Sequence, residues 1–185
     1  MTPAASVEGR ERLRLFCALT LPEDVLDRVE AWQREELSGL ARLVPREHLH
    51  ITLAFLGSRP AEEVATIAAE VRAVAAPTVE APVLRAARYR ETRSVGMLVL
   101  GDEEERAGRF ALEVQTRLER LAVYRPEARA WLPHVTVLRF QKPPRLHPSV
   151  PDLGTFSPSG AAVYHSVLRS GGAQYEVLDS VGLGG

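Results

Sequence analysis

Cysteine occurs once in the 185 residues, at Cys17. A single thiol excludes an internal disulfide framework and a thiolate-built metal site. Its apolar surroundings predict a buried side chain. Lysine is equally scarce: of 23 basic residues only Lys142 is a lysine. Arginine suits bidentate phosphate contacts, but a bias spread along the whole chain points to genome composition rather than to one site. An excess of either charge is also missing, because 24 acidic residues leave a net charge of −1. That excludes a protein whose affinity comes mainly from a positive field on nucleic-acid backbones. It does not exclude an enzyme gripping one terminal phosphate. No run approaches about 18 apolar residues, so no membrane-spanning helix is expected. Residues 1–12 are polar and charged and read as a loose tail without a signal-peptide core. A cytoplasmic monomer is the resulting expectation.

Beyond this tail, strand-like and helix-like periodicities alternate. Leu13–Leu21 predicts a strand. Pro22 with Glu23 and Asp24 opens a helix that carries Val25, Leu26, Val29, Trp32, Gln33 and Leu37 to about Leu40. Leu49–Leu56 predicts a strand closed by Gly57. Pro60 and Glu62-Glu63 open a second helix with Val64, Ile67, Ala68, Val71 and Val74 as its stripe, ended by Pro77. Strands are expected near Val79–Tyr89 and Val95–Leu100. A long helix then begins at the acidic run Asp102–Glu105 and carries Phe110, Leu112, Val114, Leu118 and Leu121. Pro133–Phe140 predicts a strand, followed by a proline-rich loop, then strands near Ala161–Leu168 and Tyr175–Val181 about a Gly171-Gly172 turn. The pattern is α+β, β-α-β-α-β then β-α-β-β-β, in two halves of similar length. No linker separates independent domains, so one domain over residues 1–185 is expected.

One short pattern recurs. Leu49-His50-Ile51-Thr52-Leu53 and Pro133-His134-Val135-Thr136-Val137 lie 84 residues apart, the trace of a duplicated unit. Within a strand, residues i and i+2 share a face. His50 and Thr52 therefore project together, as do His134 and Thr136, while Leu49, Ile51, Leu53, Val135 and Val137 face the core. Paired about a pseudo-twofold axis, the two strands would bring two imidazoles and two hydroxyls to one cleft. Imidazole titrates near neutrality, so one ring can hold a proton while the other accepts one. Each role is typically worth about 10²- to 10⁴-fold in rate. The hydroxyls can donate to non-bridging phosphate oxygens, where transition-state charge collects. A single His-x-Thr in a strand is commonplace; two copies in matched apolar settings point to phosphodiester hydrolysis.

The segments His48-Leu49-His50-Ile51-Thr52-Leu53-Ala54-Phe55-Leu56-Gly57 and Leu132-Pro133-His134-Val135-Thr136-Val137-Leu138-Arg139 resemble the two signatures of the 2H phosphoesterase superfamily. Within it they are most similar to the RNA 2′,3′-cyclic phosphodiesterases, also called 2′-5′ RNA ligases. Leu15-Phe16-Cys17-Ala18-Leu19-Thr20-Leu21-Pro22 resembles the family's first strand. Tyr164-His165-Ser166-Val167-Leu168 with Tyr175-Glu176-Val177-Leu178 resembles its last hairpin. The resemblance implies a bilobal α+β fold, with two pseudo-twofold-related lobes of antiparallel sheet, flanking helices and a central cleft carrying both motifs. It implies opening of a terminal ribose 2′,3′-cyclic phosphate on RNA or an oligonucleotide to a 2′-phosphomonoester, with 2′-5′ ligation as the reverse chemistry. His50 would protonate the leaving 3′-oxygen, His134 would activate water, and Thr52 and Thr136 would bind phosphate oxygens. No metal and no cofactor are implied.

Phe55 and Arg139 each stand five residues after their motif histidine. Strand parity puts both on the opposite face, unless a bulge rotates them. Phe55 is then either a core residue or an aromatic wall for the terminal base. Arg139 is either a solvated strand-end cation or, as the family signature implies, a clamp on phosphate or base. His48 shares the strand face of His50, and a His48–His50–His134 metal site is a rival reading. Other rivals are a cleft for a small cyclic nucleotide or ADP-ribose cyclic phosphate, and an RNA-end binding module without catalysis. His147 is expected on the surface, and His165 either in the structure or at the cleft.

His50→Ala and His134→Ala are each expected to abolish hydrolysis of a cyclic phosphate while leaving the circular dichroism spectrum unchanged. Thr52→Ala and Thr136→Ala should weaken turnover by a smaller factor. Near-normal hydrolysis by both histidine variants would contradict the assignment.

Overall fold

A computed structural model describes residues 11–76, 80–170 and 172–183. In chain order the elements are β1 (Arg12–Thr20), α1 (Glu23–Trp32), β2 (Arg42–Leu43), β3 (Ile51–Pro60), α2 (Val64–Val74), β4 (Leu84–Glu91), β5 (Val95–Asp102), α3 (Arg106–Arg120), β6 (His134–Arg139), β7 (Thr155–Phe156), β8 (Gly160–Arg169) and β9 (Gly172–Gly182). The strands form an antiparallel sheet in the order β7-β4-β5-β6-β3-β1-β8-β9, with β2 added to β6. Sequence-adjacent strands are therefore not always neighbours. β1 and β3, joined through α1, lie side by side, and so do β5 and β6, joined through α3.

This order has a pseudo-twofold centre. β3-β1-β8-β9 and β6-β5-β4-β7 are two half-sheets running outward from a seam between β3 and β6. The seam is thin: Ile51 and Val135 are its one paired position among the described residues. The motif strands thus meet at their histidine ends.

All three helices cover one face. Val25, Val29 and Trp32 of α1, Ile67, Val71 and Val74 of α2, and Phe110, Val114 and Leu118 of α3 share one buried cluster with Ile51, Leu53, Val135 and Val137 of the seam strands. This is the alternation that the motif spacing predicts. Leu112 departs from the expected stripe and is 64% exposed, because it falls off the arc traced by Phe110, Val114 and Leu118. Cys17 is fully buried, and burial pushes its thiol up to about 12, so it packs as a small apolar residue.

Several boundaries differ from the sequence reading for local reasons. α1 does not continue regularly to Leu40; its last turn, Gln33–Leu37, widens to the π form, which keeps both Gln33 and Leu37 buried. β3 runs past Gly57 to Pro60 because β1 continues to pair with it there. α2 ends at Val74; the expected stop at Pro77 and the strand start at Val79 lie outside the described residues, as does Gly171 of the last turn. The acidic run opens the helix as a 3-10 turn, Glu103–Glu105, before α3 begins at Arg106. Asp102 ends β5 and its carboxylate accepts the backbone N–H groups of Ala107 and Gly108, both at 2.8 Å, satisfying donors that a helix start leaves open. The two-residue strands β2 and β7 are too short to leave a periodic signal. No helix among the described residues is long and apolar enough to cross a membrane.

Candidate active site

The sheet face away from the helices carries the motif side chains. Ile51 lies opposite Val135 in an antiparallel register. One step either way sets His50 against Thr136, and Thr52 against His134. The thin seam therefore brings the two histidines and two threonines to one place.

Both imidazoles are held in the same way. His50 Nδ1 lies 2.8 Å from the carbonyl oxygen of His48, and His134 Nδ1 lies 2.8 Å from that of Leu132. A carbonyl oxygen only accepts, so Nδ1 carries the proton and donates it. In the neutral ring Nε2 then keeps its lone pair. At His50 that lone pair faces the Thr52 hydroxyl at 3.0 Å. The backbone two residues upstream thus sets tautomer and ring orientation in both copies.

The surroundings of the two rings differ. His50 lies among aromatic rings: Phe16 at 5.0 Å between centroids, Tyr175 at 5.6 Å and Tyr164 at 6.0 Å. Burial there lowers its pKa from the ordinary 6.5 to about 4; the bond to the His48 carbonyl opposes this, and the charges of His48, His134 and Arg139 add to it. Phe16, Ala18, Ala162 and Tyr164 form a small buried cluster beneath the ring.

Phe55 and Arg139 emerge on the histidine face, against simple parity. Between β1 and β3 the register passes from Ala18↔Thr52 to Cys17↔Ala54, leaving Leu53 as an extra residue. Between β5 and β6 it passes from Met97↔Thr136 to Gly96↔Leu138, leaving Val137 extra. One extra residue reverses the alternation of faces beyond it. Leu53 and Ala54 are accordingly both buried, as are Val137 and Leu138. Phe55 is 63% exposed, with its ring 6.1 Å from Phe16, so the core reading of Phe55 is corrected. A second irregularity lies at Leu56, eased by the left-handed Gly57 at φ 69°.

A cavity of about 560 Å³ opens beside the histidines, with Phe16, Phe55, Tyr175, His48, Arg42 and Arg139 among its walls. His48 packs on Tyr175 at 4.3 Å. Burial lowers its pKa, and the charges of Arg139 and Arg42 act in the same direction. Among the described residues no three His, Cys, Asp or Glu side chains converge as a metal would require. His165 lies off the cleft, 3.6 Å from Glu176, since it alternates with the cleft-facing Tyr164. His147 is exposed in the loop. The sequence reading did not single out Arg42 or Trp131. Arg42 sits in a two-residue strand, and Trp131, whose Nε1 donates to the Thr52 carbonyl at 2.9 Å, precedes its strand; neither position has a periodic signature.

The lowered pKa of His50 has a consequence for stability. In the unfolded chain His50 takes a proton near pH 6.5, and in the folded chain only near pH 4. Between these values the unfolded state binds more protons, so stability falls as pH falls through that window and levels below it. The full effect is about 3 kcal/mol. Urea unfolding across this range should show His50→Gln less acid-sensitive than the parent protein. Parallel pH dependences would contradict the burial argument.

The geometry has close counterparts. The profile described as the 2′-5′ RNA ligase superfamily matches residues 21–172. The RNA 2′,3′-cyclic phosphodiesterase of Methanocaldococcus jannaschii is 23% identical over 175 residues, which cover 90% of this chain and 98% of that protein. TT0787 of Thermus thermophilus is 30% identical with a TM-score of 0.73, over 92% of this chain and 98% of that one. E. coli LigT complexed with 3′-AMP is 22% identical with a TM-score of 0.74, over 94% and 99%. The expected α+β phosphoesterase fold is therefore borne out, and the chain belongs to the 2′-5′ RNA ligase superfamily, a family of 2H phosphoesterases.

Proposed function

We propose that this protein hydrolyses the terminal 2′,3′-cyclic phosphate of RNA to a 2′-phosphomonoester by paired histidine catalysis without a metal. The observation that carries the reading is the shared anchoring of His50 and His134, each Nδ1 bonded to the carbonyl two residues upstream at 2.8 Å. It leaves both Nε2 atoms for proton transfer. Water attacks phosphorus as His134 Nε2 takes its proton. The bond to the ribose 3′-oxygen breaks, and His50 Nε2 gives that oxygen a proton. Thr52 and Thr136 donate to the non-bridging oxygens. Phe55 supplies an aromatic face for the terminal base, and Arg139 a fork for phosphate or base. The relative named RNA 2′,3′-cyclic phosphodiesterase supports the choice of substrate. Ligation through a 2′-5′ bond is the same step with an RNA 5′-hydroxyl in place of water: its oxygen bonds phosphorus, His134 Nε2 takes its proton, and the 3′-oxygen leaves protonated by His50.

The acid role demands a charged His50, yet burial lowers its pKa to about 4. The phosphate's negative charge favours the imidazolium, so substrate and proton arrive together.

The deciding assay incubates the protein, with EDTA present, with an oligoribonucleotide ending in a 2′,3′-cyclic phosphate. A 2′-phosphate product is expected. Loss of activity to the chelator, or a 3′-phosphate product, would overturn the mechanism; turnover of mononucleotides alone would overturn the substrate.

Calorimetry of the His134→Ala variant binding the same oligonucleotide near neutral pH, in buffers of different ionisation enthalpy, should register proton uptake approaching one per ligand. No uptake would mean that His50 stays neutral in the complex and is not the acid.

A further inference from the structure

The two bulges raise a question of backbone satisfaction. An extra residue in a ladder leaves its polar groups without the regular cross-strand partner, and a buried carbonyl without a donor is costly. Leu53 and Val137, the extra residues, each stand three after a motif histidine and are buried. A glutamine amide serves both. Gln115 Nε2 of α3 donates to the Leu53 carbonyl at 2.8 Å. Gln33 Nε2, in the widened turn after α1, donates to the Val137 carbonyl at 2.8 Å and to that of Val44 at 3.0 Å. The Val137 carbonyl also accepts Val44 N–H at 3.0 Å.

The placement is reciprocal. Gln33 comes from the connection between β1 and β3 but holds the bulge of β6. Gln115 comes from the connection between β5 and β6 but holds the bulge of β3. Gln33 is only 2% exposed and is the one polar side chain in the fully buried set of described residues. Both glutamines direct their amide N–H groups at these backbone carbonyls.

We infer that Gln33 and Gln115 are a pair of positioning residues that lock the bulges at Val137 and Leu53 and thereby hold Arg139 and Phe55 on the histidine face. A regular strand would return both side chains to the opposite face. The donors matter because they stabilise the bulged register against the regular one. What Phe55 and Arg139 touch rests on the function proposed above; their placement by the glutamines does not.

The test uses Gln115→Met, which keeps the length of a half-buried side chain and removes the donor, with Gln33→Met as its counterpart. In a crystal structure of Gln115→Met, Phe55 should leave its contact with Phe16. With the cyclic-phosphate oligonucleotide, KM should rise about tenfold with a smaller change in kcat. Adding Phe55→Ala should then raise KM no further, whereas adding Arg139→Ala should raise it independently. Gln33→Met should show the converse pairing. Phe55 in its original place in a folded Gln115→Met, or full additivity with Phe55→Ala, would overturn the inference. Gln115 decides the matter alone if Gln33→Met does not fold. If the parent protein has no activity on this RNA, the functional reading fails, while the position of Phe55 in the variant structure still decides the role of Gln115.

Discussion

The seam between β3 and β6 is the constraint on which the site depends. Among the described residues the two half-sheets share a single paired position, Ile51 with Val135. On either side of it the strands diverge, and their edges open a cleft on the face that the helices leave bare. A fully paired seam would be a flat antiparallel floor. Divergence obliges the backbone near the histidines to find other partners. It does so through imidazole Nδ1 atoms, an indole N–H and two glutamine amides. The groups that satisfy the backbone thus include both motif imidazoles.

The two copies are alike in anchoring and unlike in environment. Each histidine is held by the carbonyl two residues upstream, and each strand is bulged at the third residue after it. Yet His50 sits over Phe16, Tyr164 and Tyr175 of its own half-sheet and is driven neutral by burial. That burial opposes the acid role proposed for His50, which the negative charge of a bound phosphate would have to restore.

Much of this could be read in the sequence. The repeated His-x-Thr spacing identified the two strands, the residues they bury and the face they share, since alternation is a local property of extended backbone. The three helices were readable from their stripes. The face occupied by Phe55 and Arg139 was not, because parity counts residues and a bulge inserts one without changing composition. Leu53 and Val137 are ordinary strand residues; what makes them bulge lies in Gln115 and Gln33, distant in sequence. β2 and β7 escaped for a different reason, two residues being too few for any period. Leu112 was misplaced because the stripe of α3 was drawn one residue too wide.

The reciprocal glutamines carry an implication for how the chain assembles. Each half-sheet contains a defect that only the connecting segment of the other can mend. Neither half is therefore complete as a template for its own motif strand. Formation of one bulge presupposes that the opposite half has delivered its crossing helix. The architecture resembles an exchange of arms between two copies of one unit, frozen into a single polypeptide, and it makes the cleft a product of both halves rather than a gap between two finished ones.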